Sequence, residues 1–170
     1  MIINGPALLA SAPIKNMAQE KLRSHGVSYG ATEAGYDIRI RQDITFTVKH
    51  YVSGTQRAIY SNGKWLADGR FVLASSMEVF QMPDNLVGVV HDKSTWARKG
   101  LSVFNTVIEP GWCGGLTLEL VYHGEEELFI PAGAGIAQVL FSRVESPARY
   151  AGKYNHQSTD PVPAIFEIEE

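Results

Sequence analysis

Ile108-Glu109-Pro110-Gly111-Trp112-Cys113-Gly114-Gly115-Leu116-Thr117-Leu118-Glu119-Leu120-Val121-Tyr122 reads as a tight Pro-Gly turn that feeds a strand. Proline presets one backbone angle of such a turn, and glycine accepts the left-handed conformation it needs. Beyond the turn, period-two alternation sends Leu116, Leu118 and Leu120 to one face, and Thr117, Glu119 and Val121 to the other. The leucine face calls for a core. Glu119 is then either a solvated charge on a wet sheet face or a carboxylate in a pocket. In a pocket, burial raises its pKa, a nearby arginine lowers it, and it can serve as a general base. Glu109 is a second carboxylate, held in the turn beside Trp112, which either covers a sugar or base or packs as core.

Outward from this strand the texture stays β-like. Ile44, Phe46 and Val48 alternate with Thr45, Thr47 and Lys49, and short β-forming runs follow at 71–74, 77–80, 86–90, 127–130 and 136–141. Ser61-Asn62-Gly63, Pro83-Asp84-Asn85 and Pro131-Ala132-Gly133 supply turns between them. Short strands with frequent turns predict a β-sandwich or barrel rather than a parallel α/β sheet. Two helical pieces are expected. One covers 15–25, with Asn16 as N-cap and Gly26 as its stop. The other is a short turn over 94–99, with Ser94 as N-cap and Gly100 as its stop. The second is too short to persist by propensity alone. Residues 1–146 read as one β domain and 147–170 as a tail that closes over a ligand.

Composition excludes several classes. The net charge of -3, with no basic cluster, lacks the stripe that a nucleic-acid polymer requires. The single cysteine, Cys113, rules out an intramolecular disulfide framework and fits a reducing compartment. No basic-then-apolar leader opens the chain and no apolar run approaches the ~20 residues that span a bilayer, so a cytoplasmic location is expected. His25, His50, His91, His123 and His156 are scattered, with no HxH or HExxH pair. The H-x-E and P-C-x-x-C segments of zinc-dependent deaminases are missing too. A deaminase built from this chain would activate water without zinc.

Lys93-Ser94-Thr95-Trp96-Ala97-Arg98-Lys99-Gly100 gathers hydroxyls and cations at a helix start, with Arg98 on the face of Ser94. Two readings fit: an anion-binding turn, and an ordinary capped turn with solvated charges.

Taken together, these residues resemble the dCTP deaminase/dUTPase superfamily over most of the chain. Tyr36-Asp37-Ile38-Arg39-Ile40 resembles its early S-x-D-x-R strand. The stretch from Phe71 to Glu78, then Met82-Pro83-Asp84-Asn85-Leu86-Val87-Gly88, resembles F-x-L-A-x-T-x-E … L-P-x-x-L-x-G. The Lys93–Leu101 segment is similar to G-R-S-S-L-A-R-x-G-L, and the Ile108–Glu119 segment to I-D-P-G-[WF]-x-G-x-[IL]-x-L-E. Ala132-Gly133 with Ile136-Ala137-Gln138-Val139 resembles P-G-x-x-I-G-Q-L, and Lys153-Tyr154-Asn155-His156-Gln157 resembles K-Y-x-x-Q.

The resemblance implies a mainly β fold, a distorted jelly-roll or β-clip barrel of the dUTPase-like type, assembled as a homotrimer with active sites between subunits. It implies hydrolytic deamination of a deoxycytidine nucleotide, dCTP to dUTP and ammonia, with onward hydrolysis to dUMP in bifunctional members. Glu119 matches the glutamate that deprotonates water at C4. Ser94 and Arg98 match residues that position that water and the carboxylate. Lys93, Thr95, Glu109, Trp112, Gln138, Lys153, Tyr154 and Gln157 match nucleotide contacts, with Mg²⁺ carried on the phosphates and no metal ligand from the protein. Three departures stand out. Lys93 replaces an arginine and loses its bidentate fork. Glu109 replaces the aspartate of plain dUTPases, and Asn105-Thr106-Val107 departs from the usual T-A-H-R or T-A-G-F. The interval from Tyr150 to Lys153 is short, so Tyr150 is not carried over. A dUTPase that releases pyrophosphate from dUTP, a non-catalytic nucleotide sensor of the same fold, and a deaminase for modified cytosines are the alternatives.

Overall fold

The computed structural model describes residues 1–167, and the end of the expected tail, 168–170, lies outside them. Its described residues build three antiparallel sheets around a core of Ile, Leu, Val and Phe side chains. In chain order the strands are β1 (Ile2–Ile3), β2 (Lys21–Ser24), β3 (Val27–Ala31), β4 (Tyr36–Arg39), β5 (Ile44–Tyr51), β6 (Gly54–Ser61), β7 (Lys64–Asp68) and β8 (Phe71–Gln81). They continue with β9 (Leu86–Asp92), β10 (Leu101–Val103), β11 (Val107–Ile108), β12 (Cys113–Tyr122), β13 (Leu128–Ile130) and β14 (Gly135–Arg143). The first sheet runs β11-β9-β14-β4-β3-β2, with β1 added to β14; the second is β10-β12-β8; the third is β13-β5-β6-β7. They form a jelly-roll-like stack and do not close into one barrel.

The alternation read for β12 holds from Thr117 onward, while Leu116 lies at the register shift between Gly115 and Thr117. Leu118 and Leu120 are fully buried, and Leu116 nearly so. The two runs expected at 71–74 and 77–80 are one strand, β8. The Ser75-Ser76 pair that separates them lies where the β8–β12 register shifts. Both serines are buried and satisfied inside that irregularity. Ser76 donates to the Glu78 carbonyl at 2.7 Å and accepts the Leu116 amide at 3.0 Å. A bulge needs such local partners because it breaks the ladder.

The helix expected over 15–25 is not there. Residues 21–31 form the β2–β3 hairpin, and its turn is His25-Gly26, both with positive φ (52° and 75°). That is the two-residue turn whose twist suits a hairpin; the glycine read as a helix stop is its second residue. Asn16, expected as N-cap, has φ 53°. The segment before the hairpin is pinned by the Lys15 amide to the Val79 carbonyl (2.9 Å) and by the Ala18 amide to the Tyr36 hydroxyl (3.0 Å). The helix near the N-terminus is instead α1 (Gly5–Ser11), opened by Pro6 and closed by left-handed Ala12. Pro6 in the first turn was the available helix-start signal for it.

The short turn is present as α2 (Ser94–Ala97). Lys93, not Ser94, stands at its cap position with extended backbone, and no side chain caps it. Ser94 is the first helical residue and is exposed. Gly100, at φ 88°, ends the turn as expected.

Candidate active site

A cleft of about 540 Å³ opens on the face of β12 opposite the buried Leu118 and Leu120. Glu119, Glu109, Trp112, Thr117, Tyr154 and Gln157 line its polar side; Phe71, Leu73, Val107, Leu116, Val162 and Ala164 line its apolar side. Strand alternation puts Thr117 and Glu119 into one cavity, while register places Leu73 directly across from Glu119. Glu109 reaches the same cavity because the Pro110-Gly111 turn folds back on itself, the Trp112 amide donating to the Glu109 carbonyl at 3.2 Å.

Glu119 is the electrostatic anomaly of this cleft. It is half-buried, and its Oε2 is shielded from solvent without a hydrogen-bond partner. Burial pushes its pKa above the ordinary carboxylate range, and its own backbone amide offsets part of that rise. An unsatisfied buried oxygen costs stability, and here it faces a cavity large enough for a ligand. The fold therefore favours the protonated form. That contribution is present below the unfolded carboxylate pKa and is lost as pH rises through the raised folded value. Glu119→Gln is accordingly expected to melt at a higher temperature than the wild type at pH 8, with the gap closing toward pH 4. Thermal denaturation across that range reads it, and a variant less stable at pH 8 contradicts it.

The tail forms the far wall. The Gln157 carbonyl accepts the Gly115 amide at 3.3 Å, His156 donates to the Cys113 carbonyl at 2.8 Å, and Trp112 Nε1 donates to the Tyr154 carbonyl at 2.6 Å. Ser75 Oγ donates to the Thr159 carbonyl at 2.6 Å. Thr117 is the hinge of this seam, its hydroxyl donating to Gln157 Oε1 at 3.2 Å and accepting the Val162 amide at 3.0 Å. Gly115 must lack a side chain here, because a Cβ would sit 2.6 Å from the Ser158 carbonyl oxygen.

Of the residues singled out from sequence, Glu119, Glu109, Trp112, Tyr154 and Gln157 meet in the cleft. The others do not line it. Ser94 and Thr95 are exposed on α2, and Arg98 is exposed at its C-cap. Lys93 is buried against Asp37 and Ser28. Gln138 gives its amide to Thr32 Oγ1 at 3.2 Å. Lys153 stands over the Tyr154 ring, 5.5 Å from its centroid, and pairs with Glu167 at 3.5 Å. Tyr150, left out because of its spacing, does line the cleft. Thr117 went unassigned although it shares a strand face with Glu119. That i, i+2 relation was the available signal, but its tail partners lie 40 and 45 residues away. Among the described residues no group of three His, Cys, Asp or Glu side chains converges on a metal position.

The chain is similar to known proteins in both sequence and fold. The family model for dCTP deaminase-like proteins matches residues 8–144. The dCTP deaminase of Roseiflexus castenholzii is 35% identical over 159 residues, covering 85% of this chain and 86% of the relative. That of Campylobacter curvus is 34% identical over 172 residues, covering 92% and 91%. Among solved structures, the 2'-deoxycytidine 5'-triphosphate deaminase of Agrobacterium tumefaciens superposes with a TM-score of 0.56 at 17% identity, over 85% of this chain and 49% of that one.

Proposed function

The chain belongs to the dCTP deaminase-like family, and we propose that it hydrolyses the 4-amino group of dCTP, giving dUTP and ammonia. The observation that carries this reading is Glu119: a half-buried carboxylate with an unpartnered oxygen and a raised pKa, set in a cleft that also holds Trp112 and the tail. A base poised nearer neutrality both takes and returns a proton efficiently. Glu119 removes a proton from water as its oxygen bonds to C4, and the ring nitrogen N3 is protonated. The proton taken by Glu119 goes to N3, and the proton of the new C4 hydroxyl then passes by way of Glu119 to the amino group; the C4–N bond breaks, ammonia leaves, and the C4 carbonyl of uracil remains. Atoms balance with water as the only co-substrate.

Ser94 and Arg98 position that water and the carboxylate in this reading. They lie outside the cleft of their own subunit, so they act from a neighbouring copy in a homotrimer. The exposed apolar rim supports such a neighbour. Phe71 and Val107 line the cleft mouth yet are about half exposed, and Phe104, equally bare, lies 6.2 Å from Phe71. Exposed apolar clusters of this kind mark contact surfaces. Trp112 packs on the deoxyribose, Thr95 and Lys153 serve the phosphates with their Mg²⁺, and Tyr154 and Gln157 close the tail over them. No helix among the described residues is long and apolar enough to cross a membrane; a soluble nucleotide substrate fits a cytoplasmic enzyme.

Glu109 in the same cleft favours a second step, hydrolysis of dUTP to dUMP. Its extra methylene relative to aspartate moves the carboxylate by roughly an ångström, a displacement that can cost about a hundredfold in rate, so this step is the slower. The test is a product assay on dCTP, dCMP and dUTP with Mg²⁺, separating dUTP from dUMP and measuring ammonia. Ammonia from dCTP with dUTP accumulating is the expected result. Pyrophosphate from dUTP with no ammonia from dCTP overturns it in favour of a dUTPase. Tight dCTP binding without any turnover overturns it in favour of a sensor.

A further inference from the structure

Asp37 and Lys93 meet beneath α2. Of the ion pairs among the described residues, theirs is the one in which both side chains are nine-tenths or more buried, at 4% and 10% exposure. Lys93 Nζ donates to Asp37 Oδ2 and to Ser28 Oγ (3.0 Å), and Ser28 stands 3.1 Å from the same carboxylate oxygen. Asp37 Oδ1 is buried with no partner, and among the described residues Lys93 is the cation that pairs with this carboxylate. If Lys93 swung out to a phosphate, a buried anion would be stranded, which is far costlier than the pair itself.

The pair sits where α2 needs an anchor. A four-residue helix does not hold itself together, and this one has no side-chain cap. The Lys93 carbonyl accepts the Trp96 and Ala97 amides, each at 3.0 Å, so fixing Lys93 fixes the first turn. A second tether, Trp96 Nε1 to the Gly135 carbonyl at 2.6 Å, holds the other side. Between the tethers Ser94 and Thr95 are presented outward, and Arg98 follows as the exposed C-cap of the helix.

We propose that Asp37 and Lys93 form a buried clamp that orients Ser94 and Arg98 on α2, with the charge of Lys93 committed to Asp37 rather than to the nucleotide phosphates. Asp37 is thereby a positioning residue for the reaction. Its kinetic consequence rests on the deaminase reading above; its structural consequence does not.

The full-length protein, Asp37→Asn, Lys93→Met and the charge-free double variant are compared by dCTP kinetics and by amide hydrogen exchange. Each single variant is expected to lose about tenfold or more in kcat with KM changed less than about threefold, since small misplacements of positioning groups act on turnover. The double variant is expected to lose no more than the worse single, because the partners work as a unit. Amide exchange at Ala97 and Arg98 is expected to quicken about tenfold in the singles while Leu118 and Leu120 stay protected. Three results overturn the clamp: losses that multiply in the double, unchanged exchange at α2, or a Lys93→Met variant whose KM rises about tenfold with kcat intact, as removal of a phosphate ligand demands. Should a single variant fail to fold, the double carries the same KM-against-kcat reading, because neutral replacement of a buried pair is tolerated. Should the wild type release no ammonia, the deaminase reading falls by itself, and exchange at α2 alone upholds or overturns the clamp.

Discussion

Glu119→Gln is expected to lower ammonia release from dCTP by about a thousandfold, within the range general-base removal produces, while moving the KM for dCTP less than about threefold. The amide keeps the shape of the carboxylate, so nucleotide binding is expected to persist while the proposed proton acceptor is gone. The wild-type enzyme has a companion signature in pH. The base must be ionised to work, and burial has raised its pKa. Therefore kcat/KM should climb with pH through a value above the usual carboxylate range and then level off. A variant that keeps more than about a tenth of wild-type turnover would show that Glu119 is not the proton acceptor.

Arg98→Ala and Glu119→Gln, each nearly inactive alone, are expected to recover about a quarter of wild-type activity when unfolded together in equal amounts and refolded. On the proposed trimeric reading, each site would draw Glu119 from one subunit and Arg98 from its neighbour. Random mixing makes the first intact in half of the sites and the second intact in half of those. If both residues served one subunit's own site, no mixed site would be whole and activity would stay at the level of the single variants. The exposed Phe71, Phe104 and Val107 at the cleft mouth give the neighbour an apolar surface to cover.

Period-two patterning located β12 and put Glu119 on the correct side of it, because strand alternation is local and the leucine face left no other way to build a core. The turn at Glu109-Pro110-Gly111 was legible for the same reason. Local signals failed where two structures share one signal. Gly26 ends helices and also completes hairpin turns, and the apolar spacing of Met17, Ala18 and Leu22 suited a helix that the His25-Gly26 turn displaced. Ser94 looked like a cap, but Lys93 takes that position because its side chain is drawn inward to Asp37. Other parts of the site depend on residues far apart in the chain. Thr117 meets Val162 across 45 residues, and Lys93 meets Asp37 across 56. No periodicity encodes either meeting. The motifs of the family supplied the candidates, and the fold sorted them into those that line the cleft, those on or beside α2, and Gln138 and Lys153, which lie in neither place.

The most direct measurement is a crystal structure of the Glu119→Gln variant with dCTP bound. The expected result is C4 of the cytosine facing residue 119 across a single water, which hydrogen-bonds the side chain within about 2.6–3.2 Å and is also met by Ser94 or Arg98 of an adjacent subunit. A base seated elsewhere in the cleft, or an adjacent subunit whose α2 never approaches that water, would contradict it.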